Sequence, residues 1–193
     1  MNEIAARYRS RADNFEAKVA AVRPGQWSNP SPCDEWSARG VVGHIVDMHG
    51  AMLSPLGKSL SVAPTVEEDP LAAFVSARAD VEALLTDSAI AASKVATPAG
   101  QLTVEQHVDQ VVSADMVLHG WDLARATGQD DTIDPTEIEA MWPGLQQIPE
   151  EMRIPGAFGP GIVVFGPEVK ISDDAPLQHR VLGLLGRDPY WSA

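Results

Sequence analysis

Cysteine occurs once in these 193 residues, at Cys33, and basic side chains are scarce, 14 Lys and Arg against 27 Asp and Glu. A single cysteine excludes an intramolecular disulfide, a CxxC redox pair and a cysteine-built zinc knuckle, which fits a reducing cytoplasm. The net charge of −13 disfavours nucleic acid and anionic membrane surfaces, because both carry the same sign. Long hydrophobic runs are also missing. No segment approaches the roughly 20 apolar residues of a membrane span, and Met1-Asn2-Glu3 lacks the basic start of a secretion signal, so a soluble, unprocessed protein is expected. There is no Gly-x-x-x-x-Gly-Lys phosphate loop, no internal repeat and no low-complexity tract. Neither length nor composition requires more than one domain over 1–193, and the chain is long enough to bury a sizeable core.

What is present is helical periodicity. Ile4, Tyr8, Phe15, Val19 and Val22 predict a first helix from about Asn2 to Val22, stopped by Pro24-Gly25. A loop, Trp27 to Trp36, precedes Ser37, which is placed to cap a second helix running to Leu53 with Val41, Val42, Ile45, Met48 and Met52 inside. Leu56 to Glu68 reads as irregular. Asp69-Pro70 then opens a third helix, buried through Leu71, Phe74, Val75, Val81, Leu84 and Leu85, that fades near Asp87. Thr103-x-x-Gln106 is a capping box for a fourth helix ended by Gly128. The first 128 residues therefore predict an all-α, four-helix bundle. Residues 129–193 form a proline-rich extension expected to pack on it, interrupted by Pro143, Pro149, Pro155, Pro160 and Pro167. It should hold a short helix from Asp134-Pro135, a turn-rich patch from Gly156 to Gly161, an extended piece at Ile162–Phe165, and a final short helix through Leu177, Val181, Leu184 and Leu185.

The fourth helix carries polar residues where its apolar stripe should be. Val104, Val108, Val111, Asp115, Leu118 and Asp122 follow core spacing, with His119 one turn above Asp115. An ionised carboxylate facing an apolar interior is usually paired or bound to a cation. His44, three residues after Val41 and four before Met48, points inward from the second helix. Two imidazoles and a carboxylate from two facing helices make a three-ligand set with coordination positions left open, as in catalytic zinc and non-haem iron sites. Each is also compatible with a core side chain satisfied by hydrogen bonds. Asp122 and Asp47 are candidate acceptors behind the imidazoles. Trp121 could wall the pocket, and Arg125 could hold a carboxylate or form a surface salt bridge. Cys33 makes a poor nucleophile beside Asp34 and Glu35. His49, about 140° around the helix from His44, is expected on the solvent side, His107 and His179 at the surface, and the tryptophans at 27, 36, 121, 142 and 191 as packing anchors.

Taken together, Trp27 through Pro32-Cys33 and Trp36, Val41-Val42-Gly43-His44, and Asp115-x-x-x-His119-Gly120-Trp121-Asp122-Leu123-Ala124 resemble the DinB-like superfamily in its mycothiol-dependent maleylpyruvate isomerase branch. The tail, with Phe165-Gly166-Pro167, Ala175-Pro176, Arg180 and Gly186-Arg187-Asp188-Pro189, resembles that of an uncharacterised actinobacterial metal-binding subgroup. The resemblance implies an up-down-down-up bundle holding a divalent metal, zinc or nickel, near one end of its core. Its ligands would be His44, His119 and Asp115, the last standing where that branch normally has glutamate. It also implies a low-molecular-weight thiol such as mycothiol and a small electrophile as partners, with isomerisation or conjugation as the outcome, or hydrolysis if water replaces the thiol. The isomerase's second, C-terminal domain has no room in this chain. Bundles of the superfamily often form homodimers. Two other readings remain open from the residues: a non-catalytic metal or small-molecule binder with a regulatory or detoxification role, and a metal-free packing module.

Overall fold

The computed structural model describes residues 2–34, 36–97, 100–153 and 166–192. The chain divides into two compact units, Met1–Asp131 and Thr132–Ala193. The extended piece expected at Ile162–Phe165 and the turn-rich patch at Gly156–Gly161 lie outside the described residues.

The first unit is an all-α, DinB-like four-helix bundle. Helix α1 (Glu3–Ala20) starts where the Asn2 side chain accepts from Ile4 N, and it stops two residues earlier than its periodicity suggests, although Val22 stays buried. Helix α2 (Ala38–Leu53) is capped by Ser37, whose hydroxyl accepts from Gly40 N. Helix α3 (Pro70–Thr86) is capped by Asp69 with Pro70 in its first turn, where a missing N–H goes unnoticed. Asp87 then caps a short helix, α4 (Ser88–Ala92), which the periodicity did not announce. An antiparallel hairpin follows, β1 (Lys94–Thr97) with β2 (Gly100–Thr103), paired from Lys94 opposite Thr103 to Thr97 opposite Gly100. It too was unforeseen, because four-residue strands are too short to show a period against helical surroundings.

The fourth rod has three parts. The Thr103–Gln106 capping box opens α5 (Val104–Val108), a π-helical segment covers Asp109–Ser113, and α6 (Ala114–Thr127) ends at Gly128 in the left-handed conformation. Around the core, α1 and α2 each pack against both α3 and α6. Tyr8, Phe15, Val41, Val42, Ile45, Phe74, Val81, Val108, Val112 and Leu123 are all essentially inaccessible.

Three expectations about facing are corrected. Val75 is 41% exposed, and Ala73, Phe74 and Ala77 fill the α3 face instead, since a residue one past Phe74 is turned about 100° away. Val111 is only half-buried while Val112 is fully buried, because the π segment adds a residue to one turn and moves the register on by one. His49 is fully buried rather than solvent-facing. Its Nδ1 donates to Ile45 O at 2.7 Å, and its Nε2 meets the Tyr8 hydroxyl at 2.8 Å. With both ring nitrogens engaged, the imidazole is accommodated inside the core.

The second unit contains α7 (Pro135–Leu145), opened by Asp134, and α8 (Leu177–Leu184). Arg180 lies 4.5 Å over the Trp142 ring, and the Gln178 side chain accepts from Ile133 N. Gly186, at φ 79°, sits against Gly166 so closely that a Cβ there would meet its backbone at 2.7 Å. That contact, with the left-handed backbone, gives glycine at position 186 a physical reason.

Candidate metal centre

The second turn of α2 faces the first two turns of α6, and three side chains meet there. His44 Nε2 lies 2.8 Å from Asp115 Oδ2, and His119 Nε2 lies 3.4 Å from Asp115 Oδ1. Aspartate is thus long enough to engage both rings. The imidazole centroids are 4.7 Å apart and tilted edge-on. Asp115 and His119 stack because they are one α-helical turn apart beyond the π segment.

The far side of His119 is also held. Its Nδ1 is 2.9 Å from Asp122 Oδ2, one turn further along α6, and Asp122 is completely buried. Such a carboxylate keeps a proton on Nδ1 and turns Nε2 towards Asp115, where that nitrogen can coordinate once its own proton has left. Of the three convergent residues, His44 and Asp115 keep about a quarter of their side-chain surface accessible, 25% and 27%, against 6% for His119. The set is therefore approachable from the His44–Asp115 side.

Electrostatics follow from this packing. Burial would raise the Asp115 carboxyl, but hydrogen bonds from His119 and His44 and the charge on those rings outweigh it and hold the group well below the carboxylate range. Burial would lower His119, yet bonds to Asp115, Asp122 and Cys33 raise it well above the ordinary imidazole value. Asp115 is thus an anion over the whole physiological range.

The loop between α1 and α2 closes one flank. A bridge pairs Pro30 with Ser37, Ser31 N donates to Trp36 O, and the Asn29 and Gln26 side chains donate to Ala126 O and Thr127 O at the end of α6. This brings the Trp36 ring over both imidazoles, with centroids 4.7 Å from His44 and 5.6 Å from His119. Trp36 is therefore more than a packing anchor. The one local signal for it is its place immediately before the Ser37 cap of α2, the helix that carries His44.

Other expected residues lie elsewhere. Trp121 is buried, but residues two apart on a helix face opposite ways, so it does not join His119. Arg125 reaches Asp131 at 3.1 Å and lies over the Trp121 ring. Asp47 is exposed. His107 and His179 are half-buried, His107 with its pKa lowered by burial and His179 edge-on to Tyr190. Cys33, set aside as a loop thiol, lies 3.1 Å from Asp122 Oδ2 and 3.8 Å from His119 Nδ1, a proximity that no local pattern encodes.

Two groups among the described residues have donor atoms close enough to hold a metal ion, His44–Asp115–His119 and Cys33–His119–Asp122. The first fits better. Bonds of about 2.1 Å at tetrahedral angles put ligand atoms about 3.4 Å apart, which the His119–Asp115 spacing of 3.4 Å meets and the 2.8 Å His44–Asp115 hydrogen bond would reach by opening slightly, and two nitrogens with a carboxylate oxygen suit zinc or nickel. The second needs Asp122 as a ligand, although that carboxylate already accepts from His119 Nδ1.

Residues 8–127, the span containing every side chain of this constellation, match the mycothiol maleylpyruvate isomerase N-terminal domain. An uncharacterised protein of Mycobacterium tuberculosis, matched in two strains, is 27% identical over 180 residues, covering 91% of this chain and 92% of the relative. No solved structure matches. Carrying that domain over most of its length, the chain belongs to the mycothiol maleylpyruvate isomerase N-terminal family, within the DinB-like superfamily.

Proposed function

We propose that the protein is a divalent-metal-dependent enzyme that uses a small thiol of the mycothiol type to transform a small electrophile, as a transferase or an isomerase. The observation that carries this reading is the approach of His44 Nε2 and His119 Nε2 to the two oxygens of Asp115. His44, Asp115 and His119 would hold the ion, zinc or nickel, on the accessible flank of the bundle. A bound divalent cation supplies positive charge that favours thiolate over thiol, and the thiolate is the effective nucleophile.

The chain's own residues then set the conditions. Asp122 fixes the His119 tautomer, and the buried side of His119 excludes water from one face of the site. Trp36 provides an apolar wall that orients a flat, conjugated electrophile beside the accessible flank. As the sulfur–carbon bond forms, the carbon–carbon π bond of the conjugated electrophile opens; either the thiol proton ends on the neighbouring carbon, giving a conjugate, or the π bond re-forms after rotation as sulfur leaves and regains its proton, giving an isomer and the free thiol. A cytoplasmic setting suits both the thiol partner and a chain with a single cysteine. Among the described residues no helix is long and apolar enough to cross a membrane.

Metal content after purification without chelator is the first test. The wild type should carry close to one equivalent, and His44→Ala and Asp115→Ala should lose most of it. Unchanged stoichiometry in both variants refutes the centre. Incubating metal-loaded protein with mycothiol and a panel of conjugated electrophiles then separates enzyme from binder: metal retention with no product across the panel favours a binding role.

A further inference from the structure

The metal-centre reading leaves Cys33 without a role, although its position is built from several directions. Its sulfur lies 3.1 Å from Asp122 Oδ2, and the same oxygen accepts from His119 Nδ1 at 2.9 Å. Cys33 is 89 residues from Asp122 in sequence. The loop that brings it there is tied to α6, the helix carrying Asp115, His119 and Asp122, through Asn29 to Ala126 O and Gln26 to Thr127 O. Within the loop, Ser31 N donates to Trp36 O and Trp36 N donates to Cys33 O, which sets the backbone on both sides of the thiol.

We propose that Cys33 is a positioning residue of the metal centre, donating its S–H to Asp122 and so fixing the carboxylate that orients the His119 imidazole. The proposal rests on the His44–Asp115–His119 reading. The ring geometry separates positioning from ligation. Cys33 lies at the Nδ1 edge of His119, whereas Asp115, which also holds His44, lies at Nε2, so the sulfur and the metal position are at different nitrogens of the ring. A buried carboxylate needs donors to stay in place. The thiol joins the imidazole N–H in that task on one oxygen, and this makes a three-member chain, Cys33 to Asp122 to His119. Outer partners of this kind typically tune metal affinity by about ten- to a hundredfold.

Two measurements test it. The chain has one cysteine, so its S–H infrared stretch is unambiguous in the metal-free protein. The band should lie below that of a free thiol and move back towards it in Asp122→Ala; a wild-type band at the free-thiol position overturns the proposal. Cobalt(II) affinity, read by competition with a coloured chelator, should fall about tenfold or more in Cys33→Ala. It should fall by less than about fivefold in Cys33→Ser, whose hydroxyl donates from the same place. Unfolding curves in chelator confirm that both variants fold. Affinity unchanged in Cys33→Ala, equal loss in both variants, or a sulfur-to-cobalt absorption band in the wild type would each overturn the positioning role. Failure of the wild type to take up cobalt, with the infrared shift intact, would instead defeat the metal centre and this role together.

Discussion

His49 should make the protein acid-sensitive in a window that can be worked out from its surroundings. The ring is inaccessible, held by Ile45 O and the Tyr8 hydroxyl, and packed edge-on against Phe74. Burial lowers its pKa from 6.5 to about 4. The folded value lies below the unfolded one, so the unfolded chain binds more protons in between. His49 leaves stability untouched above about pH 6.5 and subtracts from it as pH falls towards 4. At about 1.36 kcal/mol per unit, the loss is about 2 kcal/mol at pH 5 and about 3 kcal/mol below pH 4. For a domain stable by roughly 5–15 kcal/mol this is a large fraction. It also bears on the site, because the Tyr8–His49 hydrogen bond ties α1 to α2, the helix that presents His44. Urea unfolding followed by circular dichroism, in chelator at pH 8, 6.5 and 5, should be run on the wild type and His49→Gln. Subtracting the variant removes the opposing contribution of His119, whose raised pKa stabilises the fold at low pH. The wild type should lead by about 1–3 kcal/mol at pH 8, where the variant weakens a buried hydrogen-bonded pair, and that lead should shrink by about 2 kcal/mol at pH 5. Parallel stability curves for the two proteins would refute the argument.

Two further outcomes are expected. Metal affinity should rise with pH through neutrality, up to about tenfold per unit, because His119 is held protonated in the metal-free protein and must release that proton to bind; a pH-independent constant in a chelator competition would contradict this. Gly128→Ala should lower stability by about 1 kcal/mol, seen as a fall in Tm of about 3 °C, and an unchanged Tm would contradict it. Gly128 sits at φ 66°, and a methyl group there would meet nothing within 4 Å, so backbone strain is the only cost.

Local chemistry wrote much of this protein plainly. The Ser37, Asp69 and Thr103–Gln106 caps, the prolines at helix starts and the stop at Gly128 each act within one turn, so their outcome follows from neighbours in sequence. His44, Asp115 and His119 could be picked out for the same reason: polar groups at core spacing on two amphipathic helices have few places to go. The π segment could not be read, because one extra residue in a turn costs little locally and is decided by what the rod must pack against. Val112 replaced Val111 in the core on that account. Nor could the burial of His49, which depended on a Tyr8 hydroxyl 41 residues away.

Sequence alone therefore determined the four long rods, most of their apolar stripes and which three polar side chains stand at core spacing on two of them, since these arise from periodicity and capping. Tertiary structure alone decided their convergence and what surrounds it. Trp36 over the rings and the Cys33 thiol on Asp122 come from a loop anchored to the end of α6, and contacts across some 90 residues depend on where the folded backbone carries the loop, which no local pattern specifies.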